Sequence, residues 1–198
     1  MMRDSANSLV LSRITGFLAV LALFCGIAAL TGIRAPRATA VGFSDDEQKI
    51  ANLLPDGFSP SLCKTATDPI PPPDAVASLQ CTGSAADGPT TGRFTLWPEA
   101  GTMNDQFQTQ AVGSPLWAPS ECPGVGASPS TWNYSESPDQ VAGQLLCGSF
   151  QGAPNIEWTR TSQLLTLDVG GAPDIESLFK WWGNSGNPGG APITGVLA

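Results

Sequence analysis

The part of the chain beyond residue 40 is predicted to be an α+β domain: an antiparallel sheet of five or six strands with helices packed on it, held by two disulfides. Three observations predict this. Short strand-like runs succeed one another across tight turns with no βαβ alternation. Helical patterns stand at the start, middle and end of the segment. Four cysteines lie beyond an export-type leader. The 198 residues leave room for one ordinary domain plus a targeting segment. With 22 Gly, 18 Pro and only 13% charged residues, many turns should decorate a modest core.

The leader comes first. The run from Ile14 to Ile33 has no charge and is long enough to cross a bilayer as a helix. Arg3 and Arg13 supply a positive flank, and Ala38-Thr39-Ala40 offers a small-x-small cleavage pattern that would leave Val41 as the first residue. The length of the apolar run, and Arg34 and Arg37 between it and the cut, suit an uncleaved anchor instead. Residues 1–40 are therefore read as a signal peptide or a signal anchor. Either device exports the rest of the chain, so the domain is expected to be secreted or anchored in the plasma membrane by its N-terminal helix, through Ile14 to Ile33 if uncleaved. Cys25 lies inside the run behind Phe24, which is too large for a lipobox, so it reads as a membrane-embedded apolar residue.

In the exported part, Ser44-Asp45-Asp46-Glu47 forms a capping box ahead of Ile50, Leu53 and Leu54, and a short helix should end at Pro55-Asp56-Gly57. The proline loop from Asp68 to Asp74 cannot continue a helix or a central strand. Strands are expected over 75–81 and 91–97, the second placing Phe94 and Leu96 on one face and Arg93, Thr95 and Trp97 on the other. Pro98 opens a second helix bearing Ala100, Met103, Phe107 and Ala111. Residues 113–138 read as a long loop pinned by Cys122, with a short strand at 131–134. Runs at 144–150, 155–160 and 164–169 suggest a meander. A last helix opens at Pro173-Asp174, with Ile175, Leu178, Phe179 and Trp182 as its apolar stripe. The domain should span 41–183, with a flexible tail over 184–198 that has no regular structure.

Without Cys25, the cysteines Cys63, Cys81, Cys122 and Cys147 allow three pairings. The sequential one, Cys63 to Cys81 and Cys122 to Cys147, closes the shortest loops and is preferred. Their spacings lack the close pairs of a zinc site, and no metal or other cofactor is expected. A faint echo between 73–81 and 138–147 suggests two half-domains, each with its own bridge.

Chemistry is constrained mainly by what is missing. Histidine is absent, which removes His-based triads and His metal ligands. Beyond residue 40 there are 5 basic and 16 acidic residues, a net charge of −11, so nucleic acid and anionic lipid are poor partners. Ser61-Leu62-Cys63-Lys64 matches SxxK, but the chain has no SDN or KTG partner for it. Gly124-Val125-Gly126 lacks the third glycine of a nucleotide fingerprint, and Asn133-Tyr134-Ser135 fits a glycosylation acceptor only in a eukaryotic secretory setting. No catalytic residue stands out, although a pair among the scattered carboxylates could serve a small cell-wall hydrolase. The tryptophans remain. Trp158 and Trp182 are expected in the core, while Trp181, Trp117 and Trp132 are the candidate ligand contacts.

The order Leu53-Leu54-Pro55-Asp56-Gly57-Phe58-Ser59-Pro60 before Cys63, then Leu79-Gln80-Cys81, Phe94-Thr95-Leu96, Cys122-Pro123-Gly124, Val141-Ala142-Gly143 before Cys147-Gly148, Trp158-Thr159 and Leu178-Phe179-Lys180-Trp181-Trp182 resembles an extracytoplasmic domain of mycobacteria and related actinobacteria. That domain occurs alone behind an export segment or as the outer domain of some membrane serine/threonine protein kinases. The resemblance covers residues 44–183. It implies a sensor-like or ligand-binding role with no catalytic motif, and this chain has none of the kinase motifs. The expected function is a non-enzymatic binding or sensing module of the cell envelope, with an envelope glycan or protein as partner. The alternatives are a small cell-wall hydrolase and a purely structural envelope protein.

Overall fold

A computed structural model describes residues 42–187 and 190–193. The leader, Cys25 and the cleavage site lie outside the described residues. Among those described, no helix is long and apolar enough to cross a membrane.

The expected first helix forms as α1 (Asp45–Ala51), capped by Ser44, whose hydroxyl accepts from Glu47 N while the Glu47 carboxylate accepts from Ser44 N. Chain order then runs β1 (Phe58–Thr65), β2 (Ala77–Gly83), β3 (Thr91–Leu96), α2 (Ala100–Gln106), a π-helical turn at Phe107–Val112, β4 (Trp117–Pro119), β5 (Ser130–Tyr134), β6 (Ser137–Phe150), β7 (Ala153–Arg160), β8 (Leu165–Gly170), α3 (Ile175–Trp181), a second π-helical turn at Trp182–Gly186 and β9 (Gly190–Ile193). Every pairing is antiparallel.

The α+β class with an antiparallel sheet and two disulfides holds, but five or six strands is too few. Eight strands run in the order β1-β2-β3-β8-β7-β6-β5-β9, and the short β4 pairs with β6 off that path. The expectation of nothing regular beyond Gly183 also fails. The π-helical turn ends at Gly186, and β9 pairs with β5 from Thr131↔Ile193 to Tyr134↔Gly190. Arg160 links this end to the sheet, its guanidinium donating to Gly186 O at 2.7 Å, to Asn187 Oδ1 at 3.3 Å and to Leu53 O at 3.3 Å.

Alternation divides the sheet into two faces. One carries Leu79, Cys81, Phe94, Leu96, Leu145, Cys147, Ile156, Trp158, Leu165, Leu167 and Val169, all buried in the main core with α1 and α3. The other carries Arg93, Thr95, Leu146, Phe150, Glu157, Thr166 and Asp168, in the same cross-strand register. A smaller apolar cluster of Phe107, Ala111, Trp117 and Leu146, with Phe150, covers only part of this second face. What it leaves open is the site.

Candidate functional site

The open part of the second face is a cavity of about 290 Å³. Its floor is the sheet. One wall is the proline loop, through Pro69, Ile70 and Pro72; the other is the end of α2 and the turn into β4, through Gln106, Phe107, Leu116 and Trp117. Apolar surface dominates the lining, and Ile70 and Leu116 stay 85% and 50% exposed where they line it.

The floor is laid out by register. Arg93 on β3 stands opposite Asp168 on β8, and Asp168 stands opposite Glu157 on β7. Direct partners on antiparallel strands have Cα atoms about 4.5–5.5 Å apart, so the two acids and the arginine form one polar row. The next row is neutral: Ser78 and Thr95 share a 3.0 Å hydroxyl hydrogen bond, and Trp97 Nε1 donates to Thr166 Oγ1 at 2.8 Å.

Electrostatics set this row apart. Burial pushes the Glu157 carboxyl well above the ordinary glutamate range, and the neighbouring Asp168 charge pushes the same way. Burial raises Asp168 to about 6, against a hydrogen bond from Asn155 and the charge of Arg93. Burial also lowers Arg93, although Asp168 and Asp68 hold its charge in place. One Arg93 nitrogen, Nη2, donates to Pro69 O in the proline loop. Among the described residues the one salt bridge is Lys49–Asp46 on α1, so neither acid of the row is closely paired. Three lining side chains carry buried polar atoms without a protein partner: Arg93 Nε, Gln106 Oε1 and Asp168 Oδ1. Such atoms are uncommon in native interiors and mark places where water or a ligand completes the bonding.

The residues singled out from sequence fall elsewhere, with one exception. Cys63–Cys81 and Cys122–Cys147 form as expected, the first tying β1 to β2 and the second tying the loop ahead of β5 to β6. The candidate contacts Trp181, Trp117 and Trp132 are all buried, so they make no exposed aromatic surface. Trp132 donates Nε1 to Thr159 O at 2.9 Å and packs on Trp182, and Trp181 lies edge-on to Phe58 and Trp158; both belong to the α3 side of the sheet. Trp117 is the exception, lining the cavity on the opposite face against Phe150. Ser61 and Lys64 lie on a strand, where three residues span about 10 Å, and not on the helical turn that SxxK chemistry needs. Asn133 is buried and donates its amide to Pro138 O.

Sequence reasoning passed over Arg93, Glu157 and Asp168 as site residues. Alternation does place Asp168 opposite Leu167 and Val169, but that pattern equally describes a solvent face. Only the register of three strands and the two covering loops turns it into a cavity floor.

Comparison with known proteins found no family model, no curated relative and no solved structure that matches the chain. The two disulfides are compatible with an extracytoplasmic location.

Proposed function

We propose that the domain is an extracytoplasmic binding or sensor-like module of the cell envelope, and that its ligand sits in the cavity between the proline loop and the α2–β4 turn. The single observation that carries this reading is the 290 Å³ cavity whose lining holds Arg93 Nε, Gln106 Oε1 and Asp168 Oδ1 without protein partners. An apolar hollow with a few convergent polar groups is the usual form of a small-molecule site, and this one lies near the lower end of the size range, about 300 Å³. The similarity to sensor-like outer domains points the same way. The test is titration of the full chain with peptidoglycan fragments and envelope polysaccharides, monitored by tryptophan fluorescence and melting temperature. Trp97 and Trp117 line the cavity, so a bound ligand should shift the emission, and Trp117→Phe should remove part of that shift. No response to any envelope fraction counts against the reading.

One observation favours a second reading, a small hydrolase. Glu157 and Asp168 face each other, and burial raises both. A carboxyl pair with one member protonated is the state that glycoside hydrolysis uses. Turnover of a wall glycan that disappears in both Glu157→Gln and Asp168→Asn would assign the site to that chemistry.

A further inference from the structure

We infer that the cavity takes an organic ammonium ion, its nitrogen against Asp168 and Glu157 and its carbon body between Ile70, Leu116 and the aromatic wall. This rests on the binding reading above and names the chemistry of the ligand.

With both carboxyls ionised, the cavity floor is short of positive charge. Asp168 and Glu157 face a single arginine, which also feels Asp68 at the edge of the proline loop. Part of that guanidinium is already committed to Pro69 O. Hydrogen bonding is short in the same direction. Asp168 Oδ1, Gln106 Oε1 and the adjacent Asn155 Oδ1 are acceptors without donors, against one unpartnered donor, Arg93 Nε. Asn155 uses its amide nitrogen on Asp168, so its oxygen is the end left over. What the floor lacks is a positive charge carrying several N–H bonds, and an ammonium group supplies both.

The walls specify the rest. Trp97, Phe107, Trp117 and Phe150 line the cavity, and aromatic rings around a desolvated cation strengthen its attraction to the site. A bare metal ion suits the site less well. Among the described residues no group of three or more Cys, Asp or Glu stands close enough to hold one, and apolar walls give a metal nothing. An organic anion is disfavoured by the two acids and by the net charge of −11 on the exported part. At about 290 Å³ the cavity lies at the small end of ligand pockets, which suits a compact ligand.

Proton linkage arises from the same geometry. The groups facing the nitrogen are Glu157 from β7, Asp168 from β8 and Arg93 from β3, with Asp68 behind Arg93; α2 presents the neutral Gln106, and β4 and β6 present Trp117 and Phe150. A bound cation favours the ionised carboxyls, so binding expels protons and affinity rises with pH.

The test is calorimetric titration of the full chain with cyclohexylmethylamine, its neutral analogue cyclohexylmethanol and the anion cyclohexanecarboxylate. At about pH 7.5, above the ordinary carboxylate range, the amine should bind at least about tenfold more tightly than the other two and release protons on binding. Its affinity should fall several-fold at about pH 5, where the raised carboxyls hold their protons. Glu157→Gln should erase most of that preference. Arg93→Met, which removes the competing cation, should strengthen amine binding, an effect that loss of folding cannot mimic. Equal or tighter binding of the alcohol or the carboxylate overturns the ammonium assignment and leaves the binding reading standing. Failure of all three probes also overturns the assignment, whereas the binding reading falls only if the envelope fractions give no response either.

Discussion

At the residue scale, the glycines show how much of the packing depends on atoms that are absent. A Cβ on Gly143 would lie 1.9 Å from Thr159 O and 2.7 Å from Trp132 Nε1, striking both partners of a buried hydrogen bond. Gly143→Ala should therefore cost about 3 kcal/mol or more, read as a lower urea midpoint. Gly101, inside α2, meets nothing nearer than Glu99 Oε1 at 3.9 Å, and Gly101→Ala should stabilise by about 0.5–1 kcal/mol in the same assay. Legibility differs from residue to residue for a related reason. The cysteine pairs could be read because chain separation alone favours them. Trp181 could not. The apolar stripe of its helix runs in sequence through Ile175, Leu178, Phe179 and Trp182, yet the buried large side chains of this stretch are Leu178, Trp181 and Trp182. Room for the Trp181 ring comes from Gly57, Gly88 and Gly186, three positions far apart in the chain with no local pattern to announce them.

At the element scale, the central strands were legible and the edges were not, for a physical reason. Strands β2, β3, β7 and β8 are flanked on both sides, and apolar and polar residues alternate along 78–81, 93–96, 155–159 and 165–169. β1 lies at one edge, contains Pro60 and exposes most of its residues; β9 lies at the other edge, and β4 has three residues. Edge strands bury little and tolerate proline, so the periodic signal fades where it is needed. The starts of α1 and α3 were legible because their caps, Ser44 and Asp174, are local, whereas α2 starts at Ala100 behind Glu99 with no side-chain cap and not at the expected Pro98. Ser44→Ala removes one half of the capping box and should cost about 1 kcal/mol, seen as a lower melting temperature. The second disulfide ties a loop to the sheet. Cys122–Cys147 closes a 25-residue separation and pins the loop beyond Trp117 onto β6. Replacing both cysteines by alanine should cost about 3 kcal/mol in urea unfolding.

At the scale of the whole molecule, the half-buried acid pair should set how stability depends on pH. Glu157 and Asp168 have carboxyls raised by burial, Asp168 to about 6. A folded state that holds its protons above the unfolded value is favoured at low pH. The stabilisation is complete below the unfolded carboxylate range near 4 and is lost as pH rises through the folded value, for Asp168 between about 4 and 6. Two carboxyls work in the opposite sense. Glu47, despite some desolvation, is pulled down by hydrogen bonds from Thr65 and Ser44, and Asp174 by those from Ser177, so their contribution fades as pH falls below the ordinary range. The net charge of −11 beyond residue 40 adds repulsion as pH rises. Urea midpoints should therefore peak near about pH 4.5–5 and decline towards about pH 7.5. The double variant Glu157→Gln, Asp168→Asn separates the pair from the general charge, since it should flatten the limb between about 4 and 6 and leave the acid limb below about 4 unchanged. An unaltered slope in that variant would mean that surface repulsion alone produces the decline, and that neither acid is held protonated by the fold.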